Sequence, residues 1–214
     1  MLGSVFDPSA ELLVEERLRP HWAQAGAMVF VTFRTADSIP RSVLSRWDRE
    51  KDDWMKRHGM PQHLRWSEFL TELDVSLQSE FRTAFTRKQE DFLDSCYGQC
   101  VLRDPIYATI VANALLHCDG QRYRLGDFVV MPNHVHLLAA FANPETMRKQ
   151  FDSWLHYTAG QIHHRLGRRG HFWQQEPFDH LVRTVEQYQY LRRYIADNPK
   201  KAKLRIGEYL VRRY

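Results

Sequence analysis

The stretch YRLGDFVVMPNHVHLLAA (residues 123–140) restricts the fold more than any other part of the chain. Tyr123 to Val130 and His134 to Ala140 are runs of β-branched, aromatic and aliphatic residues, each of strand length. Met131-Pro132-Asn133 between them has turn chemistry, placed between the two strands or ahead of their pairing partners. MVFVTFRT (28–35) reads as an earlier strand, closed by Pro40. Phe178 to Val182 is a further short strand.

Helices fill the intervals. Asp104 and Pro105 supply an N-cap and a first-turn proline. Ile106, Ile110, Val111, Ala114 and Leu115 then make an apolar face that Gly120 ends. Asn143-Pro144 opens a long helix, with Met147, Phe151, Trp154, Leu155, Thr158 and Ile162 as its buried stripe. It ends in the basic loop RLGRRG at Gly167 and Gly170. Thr184 and Gln187 form a capping box for the last helix. Val185, Tyr188, Leu191 and Ile195 are its core side, and Pro199 is expected to stop it.

Between Arg41 and Tyr97 the pattern changes. Trp47, Trp54, Trp66, Phe69, Leu70, Phe81 and Phe85 are scattered through alternating charges, which reads as helices packed on the body by a few large anchors. The expected architecture is therefore α+β: an antiparallel sheet with helices on one face, a single domain over 1–214 carrying a helical insertion at 41–97.

Charge is unevenly distributed. The net charge is +4. Residues 148–214 hold 14 Lys/Arg against 6 Asp/Glu, a balance of +8, and the preceding residues balance at −4. A basic C-terminal third suits a polyanion such as nucleic acid, and equally a solvated face. The three cysteines, Cys96, Cys100 and Cys118, lack the spacing of a disulfide framework or a zinc ribbon. No apolar run reaches the roughly 18 residues of a membrane span. The N-terminal residues lack the pattern of a signal peptide, so a cytoplasmic location is expected.

Two short motifs carry chemistry. In His134-Val135-His136, residues i and i+2 of a strand share a face, so both imidazoles can reach one divalent cation. Two strand histidines with no special role fit the same spacing. Tyr194 and Asn198 lie at i and i+4 on one helix face, opposite Ile195. A surface tyrosine beside a helix-terminal asparagine fits that spacing too. Taken together, two imidazoles and an amide oxygen make a mixed nitrogen/oxygen set for Mg²⁺ or Mn²⁺ with open positions. Tyr194 is then the candidate nucleophile. Tyr188 and Tyr190 are its rivals; Tyr188 faces the core, and Tyr190 lacks an amide at i+4. Arg192, Arg193, Lys200, Lys201 and Lys203 lie close by for backbone phosphates. Arg34 and Thr32 alternate with Val31 and Phe33 and face DNA or water. Phe172 and Trp173 read as core residues or as platforms for a stacked base.

MPNHVHLL resembles the HUH signature of single-tyrosine transposases. The chain is more closely similar to the REP-associated tyrosine transposases. RPHWAQAGAMVFVTFRT, YRLGDFVVMPNHVHLL, GRRGHFWQQEPFDHLVR and YIADNPKKAKL carry that likeness in order, from about Arg19 to Leu204. The resemblance implies a ferredoxin-like or RRM-like core and metal-dependent nicking and strand transfer on single-stranded DNA at palindromic hairpins. It implies a 5′-phosphotyrosine intermediate on Tyr194 and a cation, Mg or Mn, held by His134, His136 and Asn198. It also implies action as a monomer or a homodimer, with no membrane partner. Two positions depart from the family pattern. Lys203 stands where glycine is common, so the turn there is expected to differ. Leu155 and His156 follow Trp154 where a lysine is common. Two other functions compete: a domesticated module that holds hairpins without cutting, and a metallohydrolase that uses water.

Overall fold

The Met131–Asn133 turn joins two adjacent antiparallel strands in a computed structural model that describes residues 3–10, 12–16, 20–61, 64, 69–70, 72–175 and 177–214. Seven strands are described: β1 (Leu13–Glu16), β2 (Pro20–Ala23), β3 (Met28–Arg34), β4 (Tyr123–Val130), β5 (His134–Phe141), β6 (Phe178–Leu181) and β7 (Leu210–Arg212). β1 and β2 form a separate hairpin. The main sheet has the order β6-β3-β5-β4-β7, and all its pairings are antiparallel. The sequence reading missed β1, β2 and β7, whose few residues carry little periodic signal.

The helices of this core are α4 (Pro105–Leu116), α5 (Pro144–Leu166) and α6 (Val185–Lys201). Chain order β3-α4-β4-β5-α5-β6 with β3 and β5 central is the ferredoxin-like arrangement. The α+β class and the antiparallel sheet are therefore as expected. Alternation along the strands divides the interior into two layers. Val29, Val31, Phe33, Val135, Leu137 and Ala139 join α4 and α5 in one apolar core. Met28, Phe30, Val129, Leu138 and Ala140 face the other way, against Tyr188, Leu191, Tyr194 and Ile195 of α6. Helices on one face thus describes α4 and α5, while α6 covers the opposite face.

Caps explain where these helices begin. Asp104 accepts from the Ile106 amide at 2.9 Å, and Asn143 accepts from the Thr146 amide at 2.8 Å. Thr184 accepts from the Gln187 amide, and the Gln187 side chain reaches back to the Arg183 amide rather than to Thr184. Of these helices, α4 ends at Leu116 rather than at Gly120, which lies in the turn beyond it, and Ile106 is 60% exposed rather than on its buried face. Phe172 and Trp173 are buried, and the Trp173 indole donates to Thr158 within the core.

The end of α6 corrects two expectations. Pro199 does not stop the helix; it is buried inside the last turn, and Asn198 before it is helical and fully buried. Packing there outweighs the local steric preference against a helical residue before proline. The turn at Lys203 also keeps the geometry of a glycine cap. Lys203 has φ 54°. Its amide donates to the Lys200 carbonyl, and the Leu204 amide donates to the Pro199 carbonyl. Those two bonds are a Schellman closure, made here at the steric cost of a β-carbon in the left-handed region.

The segment 41–97, between β3 and α4, contains α1 (Arg41–Arg57), α2 (Val75–Phe81) and α3 (Lys88–Asp94), the last two joined by a π-helical turn at Arg82–Arg87. Its large side chains do not dock singly on the body. Trp54, Met55, Phe69 and Phe81 form one small cluster with Leu70 and Phe85, and Trp47 and Leu93 form another with Ile39. Trp66 lies outside the described residues. No helix among the described residues is long and apolar enough to cross a membrane.

Candidate metal centre and tyrosine

The pleat of β5 sends Val135 and Leu137 into the apolar core and turns His134 and His136 to the other face. Their ring centroids are 4.6 Å apart. Neighbouring strands set each ring. Thr32 pairs directly with His136 across β3, and its hydroxyl lies 2.8 Å from Nδ1. The Asn133 amide oxygen lies 2.8 Å from Nδ1 of His134, while its nitrogen donates to the Tyr97 carbonyl. An amide oxygen only accepts, so Nδ1 of His134 carries the proton and Nε2 keeps its lone pair. Thr32 can accept from Nδ1 of His136 and leave the same nitrogen free. Fixing the far nitrogen in this way is how proteins orient imidazole ligands.

The rings are 0% and 2% exposed. Burial drives His134 down to about 4 from its ordinary 6.5, with the nearby Asn198 amide opposing. Burial likewise lowers His136, and the His134 and Lys201 charges lower it further. Both are therefore neutral at pH 7, the form that binds metals.

α6 brings the second motif to the same place. Tyr194 meets His136 edge-on at 5.2 Å between centroids and Phe30 at 6.0 Å. The Lys201 ammonium sits 4.5 Å from the centre of the tyrosine ring. Asn198, one turn on, is fully buried. Its amide lies near enough to His134, Tyr194 and Asp94 to bias the protonation of all three. None of these pairs closes to a hydrogen bond. Burial holds the Tyr194 phenol far above its usual range, and the negative charges of Glu90 and Asp94 push the same way.

A cluster of buried polar atoms here has no hydrogen-bond partner: Nε2 of His134 and His136, the Tyr194 hydroxyl, both amide atoms of Asn198 and Oδ1 of Asp94. Each such atom costs about 1–3 kcal/mol if left unsatisfied. Their convergence fits a divalent cation: two neutral imidazole nitrogens and an amide oxygen around one space. Among the described residues, no three His, Cys, Asp or Glu side chains come together to hold a metal ion, here or elsewhere; the set here is two imidazoles and an amide. The four residues proposed from sequence, His134, His136, Tyr194 and Asn198, thus lie together.

The candidate DNA contacts are placed less uniformly. Arg34 is buried beside His134, its direct partner across β3, and Thr32 is buried too, so neither faces solvent. Arg192 is engaged elsewhere. Its Nε lies 2.8 Å from the buried Asp127 carboxylate, and its Nη2 donates to the Tyr214 carbonyl. Arg193, Lys200, Lys201 and Lys203 are exposed. Tyr190 is exposed and stacks 6.4 Å from Tyr194, and Tyr188 is buried in the core as expected. Reasoning from sequence missed Thr32 and Asn133 as orienting groups, and Asp94 and Glu90 as neighbours. Pairing β3 with β5 in register would have found Thr32. Nothing local points to Asp94, which lies at the end of α3.

No family model matches this chain, and no curated protein does. A solved REP-associated tyrosine transposase bound to a REP hairpin is similar, with 17% sequence identity and a TM-score of 0.41, over 87% of this chain and 74% of that one. A likeness this distant does not fix the family.

Proposed function

We propose that this protein cuts and rejoins single-stranded DNA beside palindromic hairpins, through a covalent bond between Tyr194 and a 5′ phosphate. The observation that carries the reading is the convergence of a strand imidazole pair, a helix amide and a buried phenol, all with unsatisfied polar atoms. The hairpin substrate follows from the motif resemblance, and the basic C-terminal third suits it.

His134, His136 and Asn198 would hold Mg²⁺ or Mn²⁺. Bound there, it would draw charge from the scissile phosphate and ease departure of the 3′ oxygen. The chain's own residues do the rest. Asn133 keeps the His134 Nε2 lone pair directed at the site, and Thr32, by accepting from Nδ1 of His136, can do the same for the second ring. Burial holds the Tyr194 phenol in its protonated form, so the attacking oxygen must give up its proton in the reaction. The Tyr194 oxygen then bonds to phosphorus as the bond to the 3′ oxygen breaks; the phenol proton is released and the 3′ oxygen takes one up. Rejoining is the reverse attack by a 3′ hydroxyl.

The test uses 3′-labelled hairpin oligonucleotides with randomised single-stranded flanks, incubated with the protein and Mn²⁺. A protein-bound label that survives denaturant, needs Mn²⁺ and disappears in Tyr194→Phe is expected. Cleavage that persists in Tyr194→Phe would point to a metallohydrolase. Hairpin binding without any adduct across flanks and metals would leave a holding module. Either result overturns the proposal.

A further inference from the structure

The Tyr194 hydroxyl is buried, so a phosphate has to reach it past the side chains that border its ring. Among the described residues, four side chains stand against that ring as aromatic or cationic partners. Phe30 and His136 meet it edge-on and are themselves buried. The other two, Tyr190 and Lys201, are exposed and belong to α6 itself. The Lys201 ammonium lies 4.5 Å from the ring centre, and the Tyr190 ring lies 6.4 Å away at 25° to it. The site therefore meets solvent along α6, at these two side chains. Tyr190 is 56% exposed. A single exposed tyrosine needs no explanation by itself. Tyr157 is exposed to the same 56%, on α5 in the layer across the sheet. Tyr190 differs from it in place. It stands one helical turn before Tyr194, and its nearly parallel ring extends the wall of the site from the buried phenol to the surface.

We propose that Tyr190 is a stacking platform for a nucleobase of the single strand, on the nucleotide next to the phosphate that Tyr194 attacks. This inference rests on the strand-cutting reading above. Four residues of helix span about 6 Å. The base and phosphate of a nucleotide are joined through one sugar, so a base laid on Tyr190 leaves its phosphate close to Tyr194 and to the Lys201 ammonium. A phenol ring offers a flat apolar face to any base, and stacking of this kind changes affinity by about 5–150-fold for each base. The bases of a duplex are already stacked on one another, so a platform here selects an unpaired strand beside the nucleophile. Tyr190 is then a binding residue and not a second nucleophile.

Fluorescence anisotropy of a labelled DNA hairpin with a randomised single-stranded flank tests it, in metal-free buffer so that no strand is cut. Each variant is first shown by its melting curve to be folded. Tyr190→Ala should weaken binding by about 5–150-fold. Tyr190→Phe keeps the ring and should stay within about threefold of wild type. On the same hairpin with an abasic flank, Tyr190→Ala should cost less than about twofold, because there is no base to lose. Tyr190→Ala should also keep the wild-type salt dependence, since it removes no charge. Tyr157→Ala should bind as wild type does. An equal loss on the abasic flank overturns the proposal, and so does an equal loss in Tyr157→Ala. Tyr190→Phe that binds as weakly as Tyr190→Ala also overturns it, because the hydroxyl and not the ring face would then make the contact. The cutting reading is checked apart, by adding Mn²⁺. The covalent label should persist in Tyr190→Phe and vanish in Tyr194→Phe. A label that vanishes in Tyr190→Phe alone, or wild-type protein that binds no hairpin, sinks that reading itself.

Discussion

The two faces of β3 and β5 are made by the same strands and differ in what they do. One presents Val29, Val31, Phe33, Val135, Leu137 and Ala139 to α4 and α5, with no polar atom to satisfy. The other begins the same way, with Met28, Phe30, Leu138 and Ala140, but changes midway to Thr32, Arg34, His134 and His136. Apolar burial on the first face contributes about 1.5–3 kcal/mol for each large side chain. The second gives up part of that gain and keeps several unsatisfied buried atoms. Stability and chemistry are divided across a single sheet thickness.

That contrast can be broken by substitution. Leu137→Ala, on the apolar face, should cost about 2–5 kcal/mol in a urea titration, by lost transfer energy and the cavity left behind. The opposite face should respond otherwise. Replacing both members of the Thr32–His136 pair, as Thr32→Val with His136→Leu, should be near neutral or stabilising in metal-free protein, because both hydrogen-bond partners leave together. If the pair of changes costs as much as Leu137→Ala, the two faces are not energetically distinct.

Acid sharpens the same comparison. The native state binds a proton on His134 only near pH 4, whereas the unfolded chain binds it near 6.5. Metal-free stability should therefore be flat above about pH 6.5 and fall as pH drops toward 4. The loss from His134 alone is on the order of 3 kcal/mol. Leu137→Ala should keep this slope. Urea midpoints that do not move between those pH values would show that the imidazoles are not held neutral by burial.

The smallest effect lies at the end of α6. Lys203 takes a left-handed conformation that glycine adopts without steric cost. Lys203→Gly should raise stability by about 1 kcal/mol and the melting temperature by about 2–4 °C. A fall instead would mean that the lysine side chain contributes more than its backbone strain.

Much of this was legible before any coordinates. The limits of β4, the start of β5 and the caps at Asp104, Asn143 and Thr184 follow from local rules, since each depends on residues within a turn of one another. The convergence of His134 with His136, and of Tyr194 with Asn198, follows from the two- and four-residue repeats of strand and helix. What pairs those two motifs is distance in space, and there the local rules end. Arg192 looked free for DNA because its partner, Asp127, sits at an irregularity in β4 far along the chain. Pro199 looked like a stop because only burial of its turn overrides the local preference. Asp94 carried no signal, because its charge bears on Tyr194 only across the fold.

The pleat of β5 has one last consequence. Side chains change sides with every step along it, so a single-codon insertion between Asn133 and His136 would push an imidazole into the oily layer and bring Val135 out toward Tyr194. Two codons would restore sidedness but slide the chemistry by roughly 7 Å along the strand. Length variation in this stretch is thus closed to drift, and any change in what the protein does must come through exchange of residues in place.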